Sequence, residues 1–221
     1  MGRYPAPPGW PADIPGMEIA GDVADVGAGV AGWVTGDRVF GIVGGGGNAE
    51  YAVTRASHLA RVPATLSWEQ AAAVPEAFIT AQAALSQASF RSGDRVLVHA
   101  VGSGVGLAAI QLVRAMGGTA FGTARSADKI TRAREYGLTD GVVLGDDLGP
   151  LAPAVRGWTD DAGMDAILDL VGGPYLAADI ASAARQAHSA SSTSSTTTSS
   201  ITAARAIGPR KRSRGCPASP N

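Results

Sequence analysis

The chain reads as an α/β protein: a small antiparallel β unit, then a doubly wound parallel sheet with helices on its faces, then a tail without structure. Three observations predict this. Short β-like runs punctuated by Gly and Asp fill the first 74 residues, as in a barrel-like antiparallel unit. From residue 95 apolar runs alternate with helical periodicity in the order β-α-β-α-β-α-β, the pattern of parallel strands covered by helices. Between Ser189 and Thr202, 12 of 14 residues are Ser or Thr, and such a segment buries too little surface to offset chain entropy.

The elements follow in order. Residues 19–26 alternate around Gly21, and 37–43 follow a Gly36-Asp37 turn. Four glycines, Gly44 to Gly47, lead into a further short strand at Glu50, Tyr51, Ala52 and Val53. Ser67 followed three residues later by Gln70 is a capping-box signature. It opens an alanine-rich helix that should stop near Val74-Pro75, and a second helix over 77–88 carries Phe78, Ala81 and Leu85 at helical spacing. Residues 95–100 form an apolar run, expected of a strand buried on both faces. Gly102, Gly104 and Gly106 follow, then helices over 107–116, 127–136 and 152–158, and strands over 119–123, 141–144 and 165–169, the last ending at Val171-Gly172-Gly173.

Composition excludes several classes. One cysteine among 221 residues cannot form a disulfide framework. No apolar stretch reaches the roughly 18 uncharged residues of a membrane span, and the N-terminus lacks the apolar core of a signal peptide. A soluble, cytoplasmic protein is expected, without membrane contact. Residues 1–179 hold 12 basic and 19 acidic residues, a net −7, while 180–221 hold six basic and no acidic residues, a net +6. The acidic body makes no electrostatic case for nucleic acid. The basic cluster Arg210-Lys211-Arg212-Ser213-Arg214 is either solvated or an electrostatic contact.

The chemistry is carried by the strand-turn-helix around residue 102. A glycine-rich turn lets backbone N–H groups approach a pyrophosphate and aims the positive helix end at it. The turn Ala100-Val101-Gly102-Ser103-Gly104-Val105-Gly106 does not fit GxGxxG in either register. Its glycines equally permit tight strand–helix packing, and the flanking βαβ pattern is what favours a nucleotide. Ser103, Gly104, Val105 and Gly106 are the candidate cofactor residues there. NAD-binding proteins of this plan place an acid about 20 residues beyond the loop. Arg125 stands 19 residues after Gly106, followed by Ser126 and, in the first turn of the next helix, Lys129. Two cations and a hydroxyl suit a 2′-phosphate and favour NADPH over NADH. The alternative is a solvated Arg and Lys at a helix start, with Asp128 beside them.

The stretch Arg95-Val96-Leu97-Val98-His99-Ala100, with Ser103-Gly104-Val105-Gly106 and Ala109-Ile110-Gln111-Leu112, resembles the zinc-independent quinone oxidoreductases of the medium-chain dehydrogenase/reductase superfamily, in the branch of the p53-inducible enzyme. Pro15-Gly16-Met17-Glu18-Ile19-Ala20-Gly21, Gly36-Asp37-Arg38-Val39, residues 70–76, Thr80-Ala81, and Asp165-Ala166-Ile167-Leu168-Asp169 with Gly172-Gly173 support it. The resemblance implies a partial GroES-like catalytic domain over 1–79, a partial NAD(P)-binding Rossmann domain over 80–184 and a disordered Ser/Thr-rich basic tail over 185–221, with both domains incomplete relative to the family. It implies NADPH-dependent hydride transfer to a quinone or similar conjugated carbonyl, and, in the full-length family, a homodimer through Rossmann sheet edges whose expected edge strands are not read in this sequence.

Zinc-using relatives hold the metal with cysteines and histidine, and Cys216 alone cannot supply that set. No catalytic residue is assigned. His99 reads as a buried structural histidine, and Tyr51 as either a cleft-lining or a packed strand aromatic. Leu144 stands where the resembling branch tends to carry a tyrosine near the 2′-phosphate, which speaks against NADPH. The resemblance fades near Ala184, which suggests out-of-frame translation beyond it. An enoyl or enone reductase on the same architecture and a catalytically inactive nucleotide-binding fragment are the competing functions.

Overall fold

In a computed structural model of the chain, residues 6–193 and 200–205 are described. The first unit is a three-stranded antiparallel sheet of β1 (Glu18–Asp22), β2 (Arg38–Ile42) and β3 (Leu59–Arg61), in that spatial order. The strand expected at Glu50 to Val53 does not form. Tyr51 and Val53 are 79% and 91% exposed, and Leu59–Arg61 takes the place beside β2. Extended residues without a neighbouring strand leave their backbone groups unpaired, so the pairing partner decides the matter. Gly41 permits that partner: a Cβ there would run into the carbonyl oxygen of His58.

Two helices lead out of this sheet, α1 (Trp68–Ala72) and α2 (Pro75–Gln87). The expected capping box is formed. Ser67 Oγ accepts from the Gln70 amide at 3.2 Å, and Gln70 Oε1 accepts from the Ser67 amide at 3.0 Å. Pro75 opens α2, at a position whose N–H has no intrahelical acceptor anyway. Glu18 Oε2 accepts from the Glu76 amide at 3.0 Å, which ties β1 to the first turn of α2. The expected 79/80 boundary falls inside this continuous helix, whose Ala81, Ala84 and Leu85 belong to the core of the second unit.

That second unit alternates β4 (Arg95–Val98), α3 (Gly104–Ala115), β5 (Thr119–Ala124), α4 (Ala127–Glu135), β6 (Asp140–Val143), α5 (Leu151–Thr159), β7 (Met164–Asp169) and α6 (Tyr175–Ser182). The strands from β4 to β7 are parallel, in the order β6-β5-β4-β7. Strand β4 shows why its run is apolar throughout. Val96 and Val98 pack with Ile110 and Val113 of α3, while Leu97 points the other way, into a cluster with Phe121, Leu151 and Ile167. Burial on both faces is what a parallel sheet between two helix layers requires. At the base of β4 the Arg95 guanidinium donates to both Asp165 oxygens, at 2.8 and 2.9 Å, and the Arg95 amide adds a third bond at 2.9 Å. This fixes the β4–β7 register, Val96 opposite Ala166.

The tail departs from the disorder expected over 185–221 in two stretches. Ala183–Thr193 forms β8, parallel to β7, and Ser200–Arg205 forms β9, antiparallel to β8. The exposed edge of β7 offers a row of backbone donors and acceptors that an extended Ser/Thr-rich chain satisfies without needing a core of its own. The sheet therefore continues past β7, where the sequence led us to expect no further strands. Residues 194–199 and 206–221, which carry the rest of the tail expectation, the basic cluster and Cys216, lie outside the described residues. No helix among the described residues is long and apolar enough to cross a membrane.

Candidate functional site

The order β6-β5-β4-β7 places the chain's reversal of direction between β4 and β7. In open α/β sheets ligands bind in the crevice outside the carboxyl ends of the two strands at such a point. The candidate glycine turn leaves β4 at that place. Ala100 has φ +51°, a left-handed conformation that costs a residue with a Cβ about 1 kcal/mol. Strain of this kind persists where the surroundings over-determine the backbone.

Gly104, Val105 and Gly106 were expected in the turn; they form the first turn of α3 instead, which begins three residues earlier than the periodicity suggests. The cause is Ser103. It is the N-cap, with its Oγ accepting from the Gly106 amide at 3.0 Å, and a satisfied cap lets helix geometry start at once. Among the hydrogen bonds of the described residues, the amides of Gly104 and Val105 have no acceptor. Gly106 is required by packing: a Cβ would lie 2.5 Å from the Ala100 carbonyl oxygen and 2.8 Å from Val101 Cα. Gly104, by contrast, is exposed and open, with nothing nearer to an added Cβ than Ala77 Cβ at 4.0 Å. Two unpaired amides at an open helix N-terminus fit an anionic group such as a pyrophosphate.

The second cluster, Arg125, Ser126 and Lys129, sits at the end of β5 and the start of α4. Ser126 is the α4 N-cap residue but its side chain makes no capping bond. Lys129 joins this cluster to the turn: a Cβ on Gly102 would meet the Lys129 Cδ, Cγ and Cβ at 2.8, 2.9 and 3.0 Å. The geometry thus brings all seven candidate residues to one end of the sheet. Leu144 is 1% exposed and packs with Phe121 and Leu151, turned into the core.

The sequence places His99 in the core, where the structure has it, but sequence reasoning missed its partners, along with Asp169 and Tyr175. Asp169 ends β7, and its Oδ1 accepts from the amides of Val171 and Gly172 at 2.8 and 2.7 Å, shaping the turn into α6. The Asp-x-x-Gly-Gly pattern was a readable signal for that turn. Tyr175 begins α6, and its hydroxyl pKa is raised by burial, then by the Asp169 and Asp179 carboxylates, with the Arg125 charge pulling the other way. His99, Thr123 and Asp179 form a buried chain, and nothing in a sequence links residues 80 positions apart. Tyr51 lines a separate cleft of about 680 Å³ with Trp10, Pro11, Arg55 and His58, in the antiparallel unit.

An antiparallel unit followed by a dinucleotide-type sheet with an open helix N-terminus at its switch point is the arrangement of a nucleotide-binding α/β protein. A family model described as alcohol dehydrogenase GroES-like domain matches residues 1–64, and one described as zinc-binding dehydrogenase matches residues 104–218, running past Ala184. The chain belongs to the zinc-binding dehydrogenase family, within the medium-chain dehydrogenase/reductase superfamily of oxidoreductases. Polyketide synthase GfsB of Streptomyces halstedii is 45% identical over 141 residues, 63% of this chain and 2% of that protein. A quinone oxidoreductase-like protein 2 homolog of Nematostella vectensis is 34% identical over 175 residues, 78% of this chain and 47% of that protein. Among solved structures, mycobacterial Rv1454c complexed with NADPH superposes with a TM-score of 0.70 at 33% identity, covering 78% of this chain and 54% of that one. The CurK enoyl reductase gives 0.71 at 29% identity, covering 80% and 53%. The chain therefore spans about half the length of these solved relatives.

The family description includes zinc, and among the described residues no donor set fits that metal. Cys216 is the chain's one cysteine, and no group of three or more His, Cys, Asp or Glu that could hold a metal occurs among the described residues.

Proposed function

We propose that this chain binds NADPH at the α3 turn and serves a zinc-independent reductase that passes hydride to a conjugated carbonyl, with a quinone as acceptor. One observation supports the reading: the unpaired amides of Gly104 and Val105 stand at the switch point, at the same end of the sheet as Arg125, Ser126 and Lys129. The amides and the dipole of α3 would hold the pyrophosphate. Gly106 keeps the helix close to the turn, and Ser103 holds the cap. Arg125, Lys129 and the uncommitted Ser126 hydroxyl would hold a 2′-phosphate, a pairing in which the guanidinium offers a planar fork and the ammonium a point charge. The bound nicotinamide supplies the hydride, and the protein positions it. The NADPH complex of Rv1454c and the quinone oxidoreductase-like relative support this reading.

The likeness to the CurK enoyl reductase favours a second reading, in which the acceptor is an α,β-unsaturated thioester. Both acceptors present a conjugated carbonyl to the same nucleotide. Fluorescence titration with NADPH, followed by NADPH oxidation with 1,4-benzoquinone or crotonyl thioester, tests the two together. Saturable binding with quinone-dependent oxidation is the expected result, and thioester-only turnover favours the second reading. Binding without turnover leaves a nucleotide-binding piece alone. Absence of NADPH binding overturns the proposal.

A further inference from the structure

His99 follows the last residue of β4, and its side chain has no exposed surface. Its Nδ1 lies 2.9 Å from Thr123 Oγ1, and its Nε2 lies 2.7 Å from Asp179 Oδ1. Thr123 is 1% exposed and stands two residues before Arg125, while Asp179 is 4% exposed on α6. One turn earlier on that helix, the ring of Tyr175 tilts against the imidazole, with centroids 4.5 Å apart. The backbone closes the same knot. The His99 amide donates to the Leu168 carbonyl of β7, and the Val101 amide donates to the Thr123 carbonyl of β5. Through its ring and its amide, His99 thus joins the ends of β4, β5 and β7 to α6, around the crevice in which the candidate site lies.

Withdrawing three polar side chains from water is costly unless they are paired. Here both ring nitrogens are. In the neutral ring with its proton on Nε2, that N–H donates to the Asp179 carboxylate and Nδ1 accepts the Thr123 hydroxyl hydrogen. Apolar side chains of the same volume would fill this space without the desolvation cost. What a hydrogen-bonded chain adds is direction: it holds strand ends and helix at set angles and distances, where an apolar contact lets them slide.

We propose that Thr123, His99 and Asp179 are positioning residues for the nucleotide site. They hold the turn at residues 100–103 and the corner at Arg125 and Ser126 in register with each other, and they clamp α6 so that Tyr175 walls the crevice. What is positioned rests on the NADPH reading above; the positioning itself does not.

The test uses the full chain and two readouts, amide hydrogen exchange without ligand and NADPH affinity. Thr123→Val keeps the shape and the β-branched side chain suited to a strand, but removes the hydroxyl. Thr123→Ser restores it, and Asp179→Asn keeps an oxygen that accepts from Nε2. Leaving Nδ1 unpaired should speed exchange over residues 99–106 and 123–129 roughly tenfold or more, and weaken NADPH binding by a similar factor, relative to Thr123→Ser. Asp179→Asn, which keeps an acceptor, should lose less on both readouts than Asp179→Leu, which leaves Nε2 unpaired, and equal losses in the two count against the proposal. Acceleration spread evenly over the whole core, with NADPH affinity unchanged in Thr123→Val, would overturn the proposal and leave the chain a stabilising contact only. Equal losses in Thr123→Val and Thr123→Ser overturn it as well. A parent chain that does not bind NADPH defeats the nucleotide reading, while the exchange comparison still decides the positioning.

Discussion

The side-chain stem of Lys129 lies directly over Gly102, so that an added Cβ would sit 2.8 Å from its Cδ and 3.0 Å from its Cβ. Gly102 has no left-handed backbone to justify it, and the lysine stem is the reason for the glycine. Gly102→Ala should therefore push Lys129 aside. If its ammonium holds the 2′-phosphate, NADPH affinity falls roughly tenfold while NADH affinity changes little, as in Lys129→Ala. Paired titrations of both variants with both nucleotides check this, and equal losses for the two nucleotides count against the 2′-phosphate assignment.

Gly106→Ala meets backbone, not a flexible side chain. With the Ala100 oxygen 2.5 Å and Val101 Cα 2.8 Å from the new methyl, the strand-to-helix junction has to open. A loss of about 2–3 kcal/mol is expected, measured by urea unfolding, together with loss of nucleotide binding.

Ala100→Gly tests the strained residue. Glycine adopts φ +51° without the Cβ penalty, though it frees the unfolded chain. The two effects leave a gain of up to about 0.5 kcal/mol, seen as a small rise in Tm. A clear loss of stability would show that the methyl group's packing outweighs the strain.

Asp165 makes stability depend on pH. Burial pushes its carboxyl up, but the hydrogen bonds from the Arg95 guanidinium and amide outweigh burial and hold it below the usual carboxylate value. A carboxyl whose folded value lies below its unfolded value contributes stability above pH about 4, and that contribution is lost as pH falls through the folded value. The pair is about one-third exposed, so Asp165→Asn should cost only about 1–2 kcal/mol at pH 7. Urea unfolding at pH 7 and pH 3 checks it: the gap between parent and variant should shrink at the lower pH.

Much of this architecture was legible along the chain. The apolar run at Val96-Leu97-Val98 announced a strand buried on both faces, and Ser67 with Gln70 announced a helix start, because both signals are local. The strand expected at Glu50 to Val53 was misread because its residues have β propensity but no partner, while the three residues of β3 have little pattern and a partner in β2. Propensity describes a residue; pairing depends on what lies beside it. The same holds at the tail, where β8 pairs along the edge of β7 and β9 along β8, in residues that composition alone assigns to disorder.

By itself the sequence determined the alternation of strands and helices, the glycine turn and the cations that follow it, since each is written in residues close together in the chain. Only the tertiary structure decided that Gly102 makes room for Lys129, that Gly104 and Val105 are helix rather than loop, and that His99 meets Asp179 across 80 residues. The reason is physical. Periodicity and capping act within a turn or two of backbone, whereas a steric contact or a buried hydrogen bond exists only once the sheet has brought distant segments within a few ångströms.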